Sequence, residues 1–236
     1  MIFLPLALGL AILDWIAIIQ ETKRLGYFTK PGVILALIAG LWVASPAASS
    51  PIRLWFTGGL LFALAGDILL MLPSRPFLYS LVAFTFTHLA YIQGFGFFEI
   101  WPAGYLPIAP SELPLIAYLP AVLLAAMVAL VSWRAFRRIR VGILASGYAN
   151  LVFPATLYAA ALSLMLLASL STLFSRAWLV IPAFAVSLGG LLFYYSDTLL
   201  TWDRFVKPLS NARVKVRVSY HLAQILISTA VILQIT

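Results

Sequence analysis

The sequence predicts an all-α integral membrane protein, a bundle of about eight transmembrane helices forming one polytopic domain over residues 1–236, and three observations carry that prediction. Of the 236 residues, 64% are hydrophobic and 9% charged, with mean hydropathy +1.06, against roughly 45–50% apolar and about 25% charged in soluble domains. The apolar residues fall in runs of about 20, the length of a bilayer crossing. The charges lie between the runs and are unevenly divided between the two sides. A soluble globular protein is excluded, and little chain remains for an extramembrane domain. With no cysteine, disulfides, thiolate metal sites and cysteine nucleophiles are excluded as well.

Apolar runs bounded by charge or by Pro, Gly and Ser place helices near 2–20, 31–48, 54–72, 77–98, 114–133, 142–168, 177–202 and 216–235. The first lacks a basic leader and continues to Ile19, so it is predicted as a retained helix. Thr29-Lys30-Pro31 opens the second, and Pro46 to Pro51 separates it from the third. Pro73 to Pro76 ends the third, and Glu99 to Pro114 separates the fourth from the fifth. Arg134 to Arg140, Ser175-Arg176 and Asp203 to Arg217 bound the remaining three.

All 15 Lys and Arg residues except Arg53 and Arg176 fall in alternate connections, those after the first, third, fifth and seventh helices. The positive-inside rule places these connections in the cytoplasm and both termini on the extracytoplasmic side. The net charge of +8 is thus a topology signal beside anionic headgroups, and no nucleic-acid partner is expected.

Polar groups inside the spans are the candidates for function, because a carboxylate near the bilayer centre costs roughly 2.5–3.5 kcal/mol on insertion scales. They are Asp14, Asp67, Asp197, His88 and His221, with Lys30, Asn150, Tyr158, Tyr195, Tyr220 and Gln224. Given the predicted directions of the helices, the three aspartates and Lys30, Tyr220, His221 and Gln224 share the cytoplasmic half and are expected to line one cavity. His88 with Tyr91, and Tyr220 with Gln224, share a helical face, and Gly66 allows close approach beside Asp67. A weak internal echo relates Leu61 to Leu70 with Leu191 to Leu200, and His88-Leu89-Ala90 with His221-Leu222-Ala223. A parallel repeat of this kind would let Asp67 and Asp197 face each other.

Thr29-Lys30-Pro31, Ala65-Gly66-Asp67 with Leu70-Met71, Phe84 to His88 and Tyr91, Pro154 to Tyr158 with Met165, Leu192-Phe193 to Ser196-Asp197, and Tyr220 to Ala223-Gln224-Ile225-Leu226-Ile227 together resemble the YhhN-type lysoplasmalogenases. His221 departs from the pattern, which has an aromatic residue there, usually Tyr. The resemblance implies an eight-helix membrane hydrolase that cleaves the vinyl-ether bond of a lysoplasmalogen to a fatty aldehyde and a glycerophospho-headgroup, with a lysophospholipid substrate drawn from membrane lipid.

Such an ether resists nucleophiles until its terminal alkene carbon is protonated, after which water captures the oxocarbenium ion. Two carboxyls in a poorly hydrated site can divide the acid and base roles, so Asp67 and Asp197 are expected to be catalytic, in either order, without metal or organic cofactor. His88, Tyr91, Tyr195, Tyr220, His221 and Gln224 are expected to support them. Lys30, Tyr158, Asn150 and Gly66 are assigned to substrate binding, with Lys30 at the cytoplasmic mouth taking the phosphate, helped by Lys207 or Arg213. Asp14 is expected to be a structural hydrogen-bonder. The competing readings are a small proton-coupled transporter and a zinc-dependent lipid hydrolase of the alkaline-ceramidase kind. A bacterial inner membrane, with the site opening toward the cytoplasmic half, is the expected location.

Overall fold

The computed structural model describes residues 2–44, 50–72, 77–97 and 119–236. Among them are eight long α-helices and no strand: α1 (Phe3–Ile19), α2 (Lys23–Ala44), α3 (Pro51–Met71), α4 (Phe77–Gly94), α5 (Leu119–Ala145), α6 (Val152–Ser171), α7 (Val180–Phe205) and α8 (Ala212–Ile235). Six of them, α2, α3, α5, α6, α7 and α8, are long and apolar enough to cross a membrane, and α1 is a shorter apolar helix. Six such helices in one chain make a multi-pass membrane protein. Arg75, Glu99 and Glu112, used for the sequence-based topology, lie outside the described residues.

Several helices extend into segments that the sequence assigns to connections. α2 begins at Lys23 rather than near residue 31 and continues through Pro31, although proline removes one backbone hydrogen bond there. α5 incorporates Arg134, Arg137, Arg138 and Arg140 in its last turns, and α8 incorporates Arg213, Lys215 and Arg217 in its first two. Lys and Arg are good helix formers, so a cationic stretch ends the membrane-embedded part of a helix without ending the helix. What stops α5 is Gly147, at φ +78. Its N–H donates to Leu144 O, and that of Tyr148 donates to Ile143 O, the paired bonds of a helix terminated by a left-handed glycine. α6 therefore starts at Val152 rather than near residue 142.

Sequential helices pack as neighbours: α1 on α2, α3 on α4, α7 on α8. α8 also touches α1, α2 and α3, while α4 packs on α6, and α6 on α5 and α7. α8 is thus central and α5 peripheral, with only Ala121, Val128, Ile139 and Ile143 buried on α5. Gly189 and Gly190 do not interrupt α7. A Cβ on Gly189 would lie 2.7 Å from Ile227 of α8, and one on Gly190 would collide with Ser169 of α6. The pair serves close helix approach, not the broken-helix geometry that carriers use.

Candidate active site

Two buried carboxylates, on α3 and α7, organise the polar interior. Asp67 sits one turn before the end of α3. Its Oδ1 is 2.7 Å from Lys30 Nζ on α2, and its Oδ2 accepts the Tyr220 hydroxyl of α8 at 2.8 Å. The chain of bonds continues outward from there. Gln224 Nε2, one turn along α8, donates to the Tyr220 oxygen at 3.3 Å, and Tyr91 of α4 donates to Gln224 Oε1 at 2.6 Å. Lys30 is 5% exposed and Asp67 1%. Burial at this level is tolerated because each charge has the other as its partner and the remaining carboxylate oxygen accepts a hydrogen bond.

Asp197 has a separate set of partners. Its Oδ2 accepts the hydroxyl of Tyr158 on α6, and His88 Nε2 of α4 lies 3.3 Å from the same oxygen, off the direction of a hydrogen bond. His88 is fully buried, and among the described residues its Nδ1 has no hydrogen-bond partner. The Phe193 ring contacts a residue of each carboxylate cluster. Its centroid is 5.0 Å from that of His88 and 5.5 Å from that of Tyr220, both edge-on. The carboxylates therefore share no hydrogen-bonding residue. They head two hydrogen-bonded half-sites that the Phe193 ring links through His88 and Tyr220.

A third polar cluster joins α1, α2 and α8. Asp14 is completely buried; it accepts Thr29 Oγ1 at 2.8 Å and Arg217 Nη1 at 2.8 Å. Trp15 Nε1 donates to His221 Nδ1 at 3.1 Å, which leaves the other ring nitrogen of His221 without a described partner. His221 thus belongs with Trp15, whereas its counterpart in the echo, His88, stands beside a carboxylate.

The residues singled out from sequence are sorted accordingly. Asp67, Lys30, Tyr220, Gln224 and Tyr91 form one network, and Asp197, His88 and Tyr158 the other. Lys30 is inside the bundle and engaged with Asp67, so the position at a cytoplasmic mouth expected of it is corrected: its first-turn location was inferred from a helix starting at Pro31, whereas α2 starts at Lys23. Tyr195 faces outward, 49% exposed, because on α7 it is two residues from Asp197 and so points away from it. Asn150 is exposed in the 3₁₀ turn Ala149–Leu151. The close approach at Gly66 is to Phe84 of α4, whose ring carbon would be 2.8 Å from an added Cβ. Trp15 and Arg217 are absent from the candidates drawn from sequence, and Thr29 and Phe193 enter only as motif residues without a role. For Arg217 a signal existed, since it lies three and four residues before Tyr220 and His221 on one helical face, but it was counted with the loop cations. Among the described residues no three His, Asp or Glu side chains gather closely enough to hold a metal ion.

The sequence matches the model of the YhhN family over residues 25–231. It is similar to Lysoplasmalogenase TMEM86B of Sus scrofa, 32% identical over 216 residues that cover 90% of this chain and 77% of the relative. The protein of the same name from Mus musculus is 30% identical over 223 residues, 94% of this chain and 81% of that one. Lysoplasmalogenase of Mycobacterium tuberculosis is 28% identical over 196 residues, 81% and 65% of the two chains. No solved structure matches. Because the matched segment contains every residue of both carboxylate networks, from Lys30 to Gln224, the chain belongs to the YhhN family.

Proposed function

We propose that this chain is a lysoplasmalogenase, hydrolysing the vinyl ether of a lysoplasmalogen to a fatty aldehyde and a glycerophospho-ethanolamine or -choline, and that Asp67 and Asp197 do the acid–base work. The single observation that carries the mechanism is that two buried carboxyls occupy different electrostatic settings a few side chains apart. Asp67 has the Lys30 nitrogen against one oxygen and the Tyr220 hydroxyl on the other. Asp197 has a phenol and an imidazole instead. These unlike surroundings suit the two carboxyls to unlike roles, one delivering the proton and the other acting on water.

In that scheme one of the two carboxyls donates its proton to the terminal alkene carbon, and the electron pair of the double bond forms the new C–H bond. The adjacent carbon becomes an oxocarbenium centre. Water adds to it while giving a proton to the other carboxyl, producing a hemiacetal. Its collapse breaks the bond to the glycerol oxygen, which takes the proton from that second carboxyl, while the hemiacetal hydroxyl returns its proton to the first as the aldehyde leaves. One water is consumed and both carboxyls end as they began. His88 and Tyr158 hold Asp197; Tyr220, Gln224 and Tyr91 hold Asp67. The low-dielectric surroundings strengthen each of these interactions.

The proposal extends to orientation: both termini outside, the site in the cytoplasmic half, and the protein in a bacterial inner membrane. The distribution of basic residues supports the orientation through the positive-inside rule. The deciding experiment is mass spectrometry of the products after purified protein meets lysoplasmalogen and, separately, its ester analogue. Aldehyde from the vinyl ether alone supports the proposal. Fatty acid from the ester, or no product from either, rules it out.

A further inference from the structure

A narrow crevice of about 40 Å³ runs between α4, α5, α6 and α7. Along α6 it is lined by Ala155, Tyr158, Ala159, Leu162 and Ser163, a single helical face, and before them by Leu151 of the preceding 3₁₀ turn. From Ala155 to Ser163 the helix rises about 12 Å, so the crevice is long and thin. Its wall is effectively apolar, because its hydroxyls are already used: Tyr194 donates to Ser132 at 3.0 Å, Ser163 to Ala159 O at 2.6 Å, and Thr201 to Asp197 O at 2.9 Å.

The two remaining features are at its middle and its end. Tyr158 lines the crevice and donates its hydroxyl to Asp197, so a bound molecule would pass within one side chain of that carboxyl. At the end where α4 begins and α7 finishes, Phe77 and Phe205 form the wall. The Arg204 guanidinium lies over them, 4.2 Å from the Phe77 ring centre and 5.6 Å from that of Phe205. A cationic end, an apolar slot and a polar group partway along match an amphiphile with one chain and one phosphate.

Resting on the function proposed above, we infer that this crevice is the chain-binding subsite: it takes the single alkenyl chain of a lysophospholipid, with the phosphate at Arg204 and the vinyl ether beside Tyr158 and Asp197. Ala135 on α5 and Ala159 on α6 then face the chain and set the length it can have. The slot must widen for entry, and α5, with few buried residues, is the wall that can yield toward lipid.

Two measurements on the full-length protein in nanodiscs test this. In the first, a saturated alkyl-ether lysophosphatidylethanolamine, which cannot be hydrolysed as a vinyl ether, carries a diazirine in the first half of its chain. Irradiation should label α5 between Ser132 and Ile143 or α6 between Ala155 and Ser163. Excess lysoplasmalogen should suppress the label by at least about fivefold, and diacyl phosphatidylethanolamine should leave it unchanged. In the second, folded Ala135→Trp and Ala159→Trp proteins should lower the ratio of kcat/KM for long-chain over short-chain lysoplasmalogen by at least about tenfold. Label on α1, α2 or α3, or equal suppression by the two-chain lipid, overturns the assignment, as does an unchanged chain-length ratio in both variants. The label does not depend on turnover, so a correctly placed label without aldehyde release would refute the hydrolase and leave the subsite standing.

Discussion

Lys30 and Asp67 form an ion pair of 2.7 Å in which both side chains are buried, and the consequence is that neither can be changed alone at low cost. Removing one partner of a buried pair leaves an uncompensated charge, on the order of 3–5 kcal/mol.

Lys30→Met is therefore expected to destabilise the protein and to lower kcat more than it raises KM. The double variant Lys30→Met/Asp67→Asn should regain most of the stability and none of the activity. Thermal unfolding in detergent and steady-state kinetics read the two effects. A Lys30→Met protein of normal stability and kcat, with only KM raised, would return Lys30 to the role of phosphate ligand.

The two aspartates are expected to act as one catalytic unit although they hold different partners. Asp67→Asn and Asp197→Asn should each reduce turnover by about 10² to 10⁴-fold, the usual scale of general acid–base catalysis, and the double variant should be scarcely worse than either single one. Proton delivery to carbon should also give a solvent deuterium isotope effect above unity when chemistry limits the rate. Full activity in either folded single variant would exclude this mechanism.

Asp14 is expected to behave differently, because Thr29 and Arg217 satisfy both of its oxygens and it hydrogen-bonds to no residue of either half-site. Asp14→Asn should cost stability, about 1–3 kcal/mol given that Arg217 is partly exposed, with kcat per folded molecule within about threefold of the parent. A catalytic defect as large as that of Asp67→Asn, in folded protein, would count against a structural role.

Membrane orientation is testable with single cysteines, since the chain has none of its own. A thiol placed at Arg137 should react only with reagent on the cytoplasmic side, and one at Glu112 only from outside. The reverse pattern would move the proposed site to the other half of the bilayer.

Much of this protein follows from the one-dimensional order of its residues, since an apolar run of about 20 can satisfy its backbone in lipid only as a helix. The all-helical, multi-pass class is legible at that level, because length and hydropathy need no neighbours. Helix ends at the cationic segments are not, because Lys and Arg neither break a helix nor say whether they lie in water. Partnership is still less legible. Lys30 meets Asp67, Arg217 meets Asp14 and His88 meets Asp197, each pair from two different helices, while Tyr195 turns outward two residues from Asp197. Those outcomes depend on how each helix is rotated and which helix lies beside it. The packing of small residues such as Gly59 against Tyr91 and Gly66 against Phe84 sets those rotations, and only the assembled bundle decides them.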